Sequence, residues 1–313
     1  MRRRVMVASI ALCVALMTMT VSAQTLYKYR GENGEWIYAD RPPDDGNVDE
    51  TRDLATGTRK GSVDVSASDV GRNVRFIATN RYHIEIELRL RFTHFDGLQS
   101  PDKDDDLRWV IPPVSDKVIL ELAKVSNPAG PSVEYEYEYI AGDPEATHRP
   151  RGPYRVPFAV ATNFPVTQAY PDNVTHTTQD SIYAVDIAMP IGTNVFAARE
   201  GTVFDVSSDN FESGFDRNRD GPSANVVQIV HDDGTYAVYA HLNWNSIRVK
   251  PGERVVRGQY IADSGNTGFS SGPHLHFVVL RNAGMRTESV PMRFEGANSR
   301  AVVPASGNVL TAY

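Results

Sequence analysis

His274 and His276 stand two residues apart at the head of an apolar run, Phe277 to Leu280. In a β-strand, residues i and i+2 point to the same face. The pair therefore projects two imidazoles side by side, with Leu275 and Phe277 packed behind them. That arrangement suits a zinc site that needs one imidazole on the metal and another beside a metal-bound water. Two surface histidines on an edge strand would give the same pattern, so the upstream residues decide. Asp186 is a lone carboxylate inside the otherwise apolar run Tyr183–Ala188. Carboxylates in such surroundings are rare unless paired or bound to metal. His241 ends the strand-like run Tyr239–Ala240, and His176 and Asp180 lie ahead of Asp186.

The elements that must carry these groups are strands. Across residues 151–296 the apolar runs are short and helix-period segments almost absent. Glycines recur beside the runs, at Gly192, Gly201, Gly234, Gly252, Gly258, Gly265, Gly268 and Gly272. This pattern predicts tightly turned antiparallel β-structure. Residues 63–150 also read as all-β. Ile84, Ile86, Leu88 and Leu90 alternate with His83, Glu85, Glu87 and Arg89, the period of a half-buried strand. Several such strands between turn signals predict a small immunoglobulin-like sandwich. The alternating tyrosines and glutamates at 135–138 read as a solvated strand, and Asp102–Asp106 as an exposed acidic loop.

Ahead of these, residues 1–23 read as a signal peptide. Arg2, Arg3 and Arg4 precede an apolar stretch from Val5, and Val21, Ser22 and Ala23 place cleavage before Gln24. Cys13 is the sole cysteine, so the mature chain would hold neither disulfides nor cysteine metal ligands. Any transition metal must then be held by His, Asp or Glu. Cleavage removes three arginines and takes the formal charge from −7 to −10. Nucleic acid, which favours a basic surface, is not an expected partner. No second long apolar run exists, so no membrane association is expected after cleavage. Residues 24–62 read as a hairpin module and linker, with a turn signal at Asn33 and Gly34. Tyr27, Lys28 and Tyr29, with Tyr38 to Pro43, resemble a small β module found at the N-terminus of many exported proteobacterial proteins. Residues 297–313 read as a loosely held tail.

The order of motifs over residues 163–280 resembles that of LytM/lysostaphin-type zinc endopeptidases of bacterial cell walls. The motifs are His176, then Tyr183 to Asp186, and Pro190 to Val203 with Gly192 and Gly201. His231 to Thr235, Tyr239 to Leu242, Gly265 to Gly268, and Ser271 to Phe277 follow. The resemblance implies an antiparallel β catalytic domain with a groove across one sheet and one Zn2+ per chain. It implies His176, Asp186 and His276 as metal ligands, and His241 and His274 as catalytic histidines beside the metal. Two neutral imidazoles and one carboxylate leave a +1 site with a corner open to water.

The chain departs from the family in one place. Many members have three residues between the first histidine and the aspartate, whereas nine separate His176 from Asp186. A longer connection closes at modest entropic cost, with Asp180 as the fallback donor. Asn225 is a substrate-facing candidate, or else a hydrogen bonder at a strand start. Asp216–Gly221 mimics half of an EF-hand loop, but Val227 stands where a bidentate Glu is needed. It reads as a polar loop on the groove rim, His83, His94 and His148 read as surface residues, and His231 as structural. The expected function is a periplasmic or secreted zinc endopeptidase acting on the peptide stems of peptidoglycan. The rival is a catalytically inactive relative that activates cell-wall amidases.

Overall fold

The computed structural model describes residues 61–100, 106–125 and 130–313 in full. Of the remainder it describes the backbone of Arg2–Met6, Gln24–Arg30, Trp36–Ala39 and Glu50–Leu54, and a few residues between them. The chain divides into two compact units, one of Met1–Ser9 with Gly61–Tyr313 and the other of Ile10–Lys60. In the smaller unit, Gln24–Arg30 pairs antiparallel with both Trp36–Ala39 and Glu50–Leu54. The expected hairpin is thus joined by a third strand from the stretch read as linker. Its turn at Asn33 and Gly34 lies outside the described residues, as do residues 7–23 of the expected leader and Asp102–Asp105 of the acidic run. The backbone of Arg2–Met6 runs antiparallel to residues 135–139. No helix among the described residues is long and apolar enough to cross a membrane.

The larger unit begins with two small sheets. One contains β1 (Val63–Val70), β2 (Asn73–Asn80) and β5 (Ser115–Ala123). The other contains β3 (Ile86–Asp96), β4 (Leu107–Ile111) and β6 (Ser132–Ala141). Alternation explains the pairing of faces. Ile86, Leu88 and Leu90 of β3 and Tyr135 and Tyr137 of β6 point inward, against Val65 and Phe76 of the first sheet. Phe76 and Tyr135 meet edge to face with ring centroids 5.6 Å apart, and the Tyr135 hydroxyl donates to the Val65 carbonyl at 2.9 Å. The tyrosines of the 135–138 stretch are therefore core residues. Glu136 and Glu138 pair with Arg91 and Arg89 on the outer side.

A nine-stranded sheet follows. Its order is β12 (Arg254–Val255), β9 (Gly201–Ser207), β10 (Val226–Val230), β11 (Tyr236–Ala240), β13 (Leu275–Asn282), β8 (Val185–Ile187), β7 (Asn163–Gln168) and β15 (Val309–Thr311), with β14 (Thr287–Ser289) also on β13. All these pairings are antiparallel. The C-terminal segment is thus not the loosely held tail expected from its sequence. β15 extends the sheet, and Leu310 and Ala312 are buried in its core.

The two faces of this sheet do different work. Leu275, Phe277 and Val279 point into the main core with Val227, Ile229, Ala237 and Tyr239. The opposite side of β13 carries His274, His276, Val278 and Leu280 in sequence. Val278 and Leu280 join Tyr236, Phe204 and Ala184 in the core of the sandwich. The sandwich therefore packs against the end of this face away from the histidines. Glu87 of β3 is buried at this seam and accepts from the Asn282 amide at 2.9 Å and the Met285 N–H at 2.7 Å. Residues 151–296 keep a core of their own, and a seam of Ala184, Phe204, Tyr236, Val278 and Leu280 joins them to the core of the 63–150 sheets.

Candidate metal centre

Strand register brings the site together. Asp186 of β8 lies opposite His276 of β13 on one side and Gln168 of β7 on the other. His276 in turn lies opposite Ala240 of β11, which delivers His241 at the strand end. His176 arrives from the loop between β7 and β8. The nine intervening residues fold back on themselves through Ser181 N–H to Thr178 O at 3.0 Å and Ile182 N–H to Thr178 O at 2.9 Å. The Ser289 N–H then ties the Gln179 carbonyl at 2.7 Å. These bonds offset the entropy of the longer connection.

His176, Asp186 and His276 each offer a ligand atom, and these atoms all lie within 4.8 Å of one another. His176 Nε2 is 3.2 Å from Asp186 Oδ2, and His276 Nδ1 is 2.9 Å from Asp186 Oδ1. Two donors each about 2.0 Å from a tetrahedral zinc stand about 3.3 Å apart. The donor set therefore fits zinc in type and in spacing. Burial raises the cost of the Asp186 charge, but hydrogen bonds to His176 and His276 outweigh it and hold the carboxyl well below its ordinary range. Asp180, the fallback donor, is exposed, bonds the Thr178 hydroxyl and stands outside the cluster.

Two further imidazoles flank this cluster. His274 Nε2 is 3.7 Å from Asp186 Oδ1, and the His241 and His274 ring centroids are 4.6 Å apart. Carbonyl acceptors set both tautomers. His274 Nδ1 lies 2.8 Å from the Gly272 carbonyl, and His241 Nδ1 lies 2.7 Å from the Thr267 carbonyl. A carbonyl only accepts, so each Nδ1 carries the proton and each Nε2 keeps a lone pair. Burial, reinforced by the neighbouring His274 and His276, pushes His241 down to about 3, which keeps it neutral.

His241 holds a left-handed backbone at φ 60°. Such a residue persists only where its surroundings over-determine it. The holding network is Asn225 and Thr267. The Asn225 amide donates to the Leu242 carbonyl at 3.2 Å, the Thr267 hydroxyl donates to the same carbonyl at 2.9 Å, and the Leu242 N–H donates to the Asn225 carbonyl at 3.1 Å. Asn225 is fully buried, and its side-chain oxygen accepts from the Asn210 N–H. It is therefore not substrate-facing. It is the strand-start hydrogen bonder of the two readings, and it shapes the backbone that carries His241.

Sequence reasoning missed Gln168. Its amide oxygen accepts the Val174 and Thr175 N–H groups, each at 2.5 Å, and its amide nitrogen donates to Asp186 Oδ2 at 2.8 Å. One side chain thus fixes the loop before His176 and one carboxylate oxygen. A glutamine at the end of an ordinary strand carries no signal of this, because its partners come from a loop and a neighbouring strand.

The other histidines lie elsewhere. His94 is exposed on β3, and His148 bonds the Tyr154 hydroxyl at 3.1 Å. His83 packs against Gly252. His231 is buried, with Nδ1 2.7 Å from the Glu200 carbonyl, and burial pushes it down to about 4. Asp216 caps the short helix α1 (Arg217–Asp220) through the Asn218 and Arg219 N–H groups, so the EF-hand-like stretch is a capped turn.

Residues 180–288 match the family model of peptidase family M23, so this stretch of the chain is a domain of that family. The match begins four residues after His176, which the loop geometry supplies. A glycyl-glycine endopeptidase, ALE-1, of Staphylococcus capitis is 36% identical over 114 residues, covering 36% of this chain and 28% of that protein. The peptidoglycan DD-endopeptidase ShyA of Vibrio cholerae is 38% identical over 96 residues, covering 30% and 19% respectively. The chain therefore spans under a third of the length of these curated relatives. Among solved structures, the catalytic domain of lysostaphin from Staphylococcus simulans is 30% identical, with 40% of this chain and 83% of that chain covered and a TM-score of 0.28.

Proposed function

We propose that this protein is an exported zinc metalloendopeptidase that hydrolyses peptide crosslinks of peptidoglycan. The observation that carries the reading is the convergence of His176 Nε2, the Asp186 carboxylate and His276 Nδ1 beside two imidazoles whose Nε2 lone pairs are free. His176, Asp186 and His276 would hold the zinc, which supplies Lewis acidity and an acidified water. Gln168 keeps the Asp186 carboxylate turned toward the two ligand imidazoles. His274 takes a proton at Nε2 while its Nδ1–H stays on the Gly272 carbonyl. His241, neutral and with the same tautomer, offers the Nε2 lone pair to a water. Val278 and Leu280, which also pack with the sandwich, form the apolar end of the groove away from the histidines.

The relatives named as cell-wall endopeptidases support peptidoglycan as the substrate. The basic and apolar N-terminal stretch supports export to the periplasm or beyond. Purified protein is expected to bind about one zinc per chain and to release muropeptides from crosslinked sacculi. His276→Ala is expected to lose both zinc and turnover. His274→Ala is expected to keep zinc and lose about 10²–10⁴-fold in rate. An amidase activator would keep its effect in the His274→Ala protein, and that result would overturn the proposal.

A further inference from the structure

The groove beside the metal centre encloses about 870 Å3, and its lining is mostly uncharged. Apart from the histidine and aspartate cluster, the ionisable residues that line it are Asp180 and Arg217. Arg217 opens α1, and its guanidinium is held on two sides. Its carbon lies 4.9 Å from the Phe269 ring centroid, and one Nη donates to the Thr175 carbonyl at 3.0 Å. Thr175 immediately precedes His176, so the cation is anchored against the ligand loop itself. Nearby arginines are neutralised, Arg219 by Asp220 for example. Among the described residues no carboxylate pairs with Arg217.

A guanidinium has five N–H donors in a planar fork. Contact with the Phe269 ring holds the guanidinium over it, and the Thr175 carbonyl occupies one donor. The remaining edge is pre-organised for a carboxylate, which such a fork binds through two parallel hydrogen bonds. Phe215, 79% exposed, and Val174, 81% exposed, flank the same groove and give apolar walls to such a contact. We propose that Arg217 is a specificity-determining residue that clamps a free carboxylate of the substrate beside the scissile bond. Resting on the metalloendopeptidase reading, this defines the preferred substrate as a crosslink flanked by a free carboxylate rather than an uncharged bridge such as oligoglycine.

The test uses the full zinc-loaded protein and two synthetic D-alanyl-linked peptides. They are identical except that the carboxyl group beside the scissile bond is free in one and amidated in the other. Pentaglycine amide is the uncharged comparison. The wild-type protein is expected to favour the acid by about 10–100-fold in kcat/KM, the range of hydrogen bonds to a charged group. Arg217→Gln should abolish the preference by raising KM for the acid to that of the amide, with zinc content retained. Arg217→Lys should restore part of it, and Arg217→Glu should reverse it. Calorimetric binding of the same peptide pair reads the clamp without turnover, so an inactive protein that still prefers the acid would sink only the hydrolase reading. A preference that survives in Arg217→Gln, or no preference in the wild type, overturns the clamp.

Discussion

Asp186 has hydrogen-bonding neighbours on both carboxylate oxygens, and its environment sets the chemistry of the whole centre. Gln168 holds Oδ2 and the loop ahead of His176 at once. Gln168→Ala is therefore expected to weaken zinc binding by about 10–100-fold, read by competition with a chromogenic chelator. His231 makes the stability of the fold depend on pH. Its folded pKa, about 4, lies below the ordinary histidine value of 6.5. The neutral form is the one the fold prefers. The stability it contributes is complete above pH 6.5 and is lost as pH falls toward 4, on the order of 3 kcal/mol in all. Urea melts at pH 7 and pH 4.5 should show a smaller acid-induced loss for His231→Asn than for the wild type.

At the scale of elements, the imidazole pair depends on how closely the Ser264–Thr267 turn approaches the end of β11. Gly265 bridges to His274, and a β-carbon there would meet the Asn243 nitrogen at 2.5 Å and the Leu242 carbonyl carbon at 2.7 Å. Those are backbone atoms and cannot swing aside. Gly265→Ala is expected to cost about 1–3 kcal/mol by overpacking and to lower kcat through displaced His241 and His274, with zinc content retained. Metal analysis beside kinetics on the one protein checks both. The His-x-His spacing was legible because a strand has a period of two and apolar residues follow at once. The role of Asn225 was not, because its partners Asn210, Leu242 and Thr267 come from three separate loops and strand ends.

At the scale of the molecule, the sandwich and the nine-stranded sheet are joined through a shared apolar seam. Val278, Leu280, Tyr236 and Phe204 lose their cover if residues 61–150 are removed. A 151–313 fragment is expected to aggregate or melt lower than 61–313, and the latter should unfold in one calorimetric transition. Glu87→Ala strands the Asn282 amide and the Met285 N–H at the seam. It should cost about 1–3 kcal/mol for the unmet donors, visible as a lower Tm with zinc bound.

The sequence by itself determined the all-β character, the pair of imidazoles on one strand face, and the candidate donors. Those follow from local periodicity and from the rarity of a carboxylate in an apolar run, which neighbours in the chain can report. Tertiary structure alone decided that His176 reaches its partners across nine residues, that Gln168 supports Asp186, that residues 309–311 complete the sheet, and that the sandwich packs on the end of the groove face away from the histidines. Each of these joins segments far apart in the chain through hydrogen bonds or burial, and no local pattern encodes such a meeting.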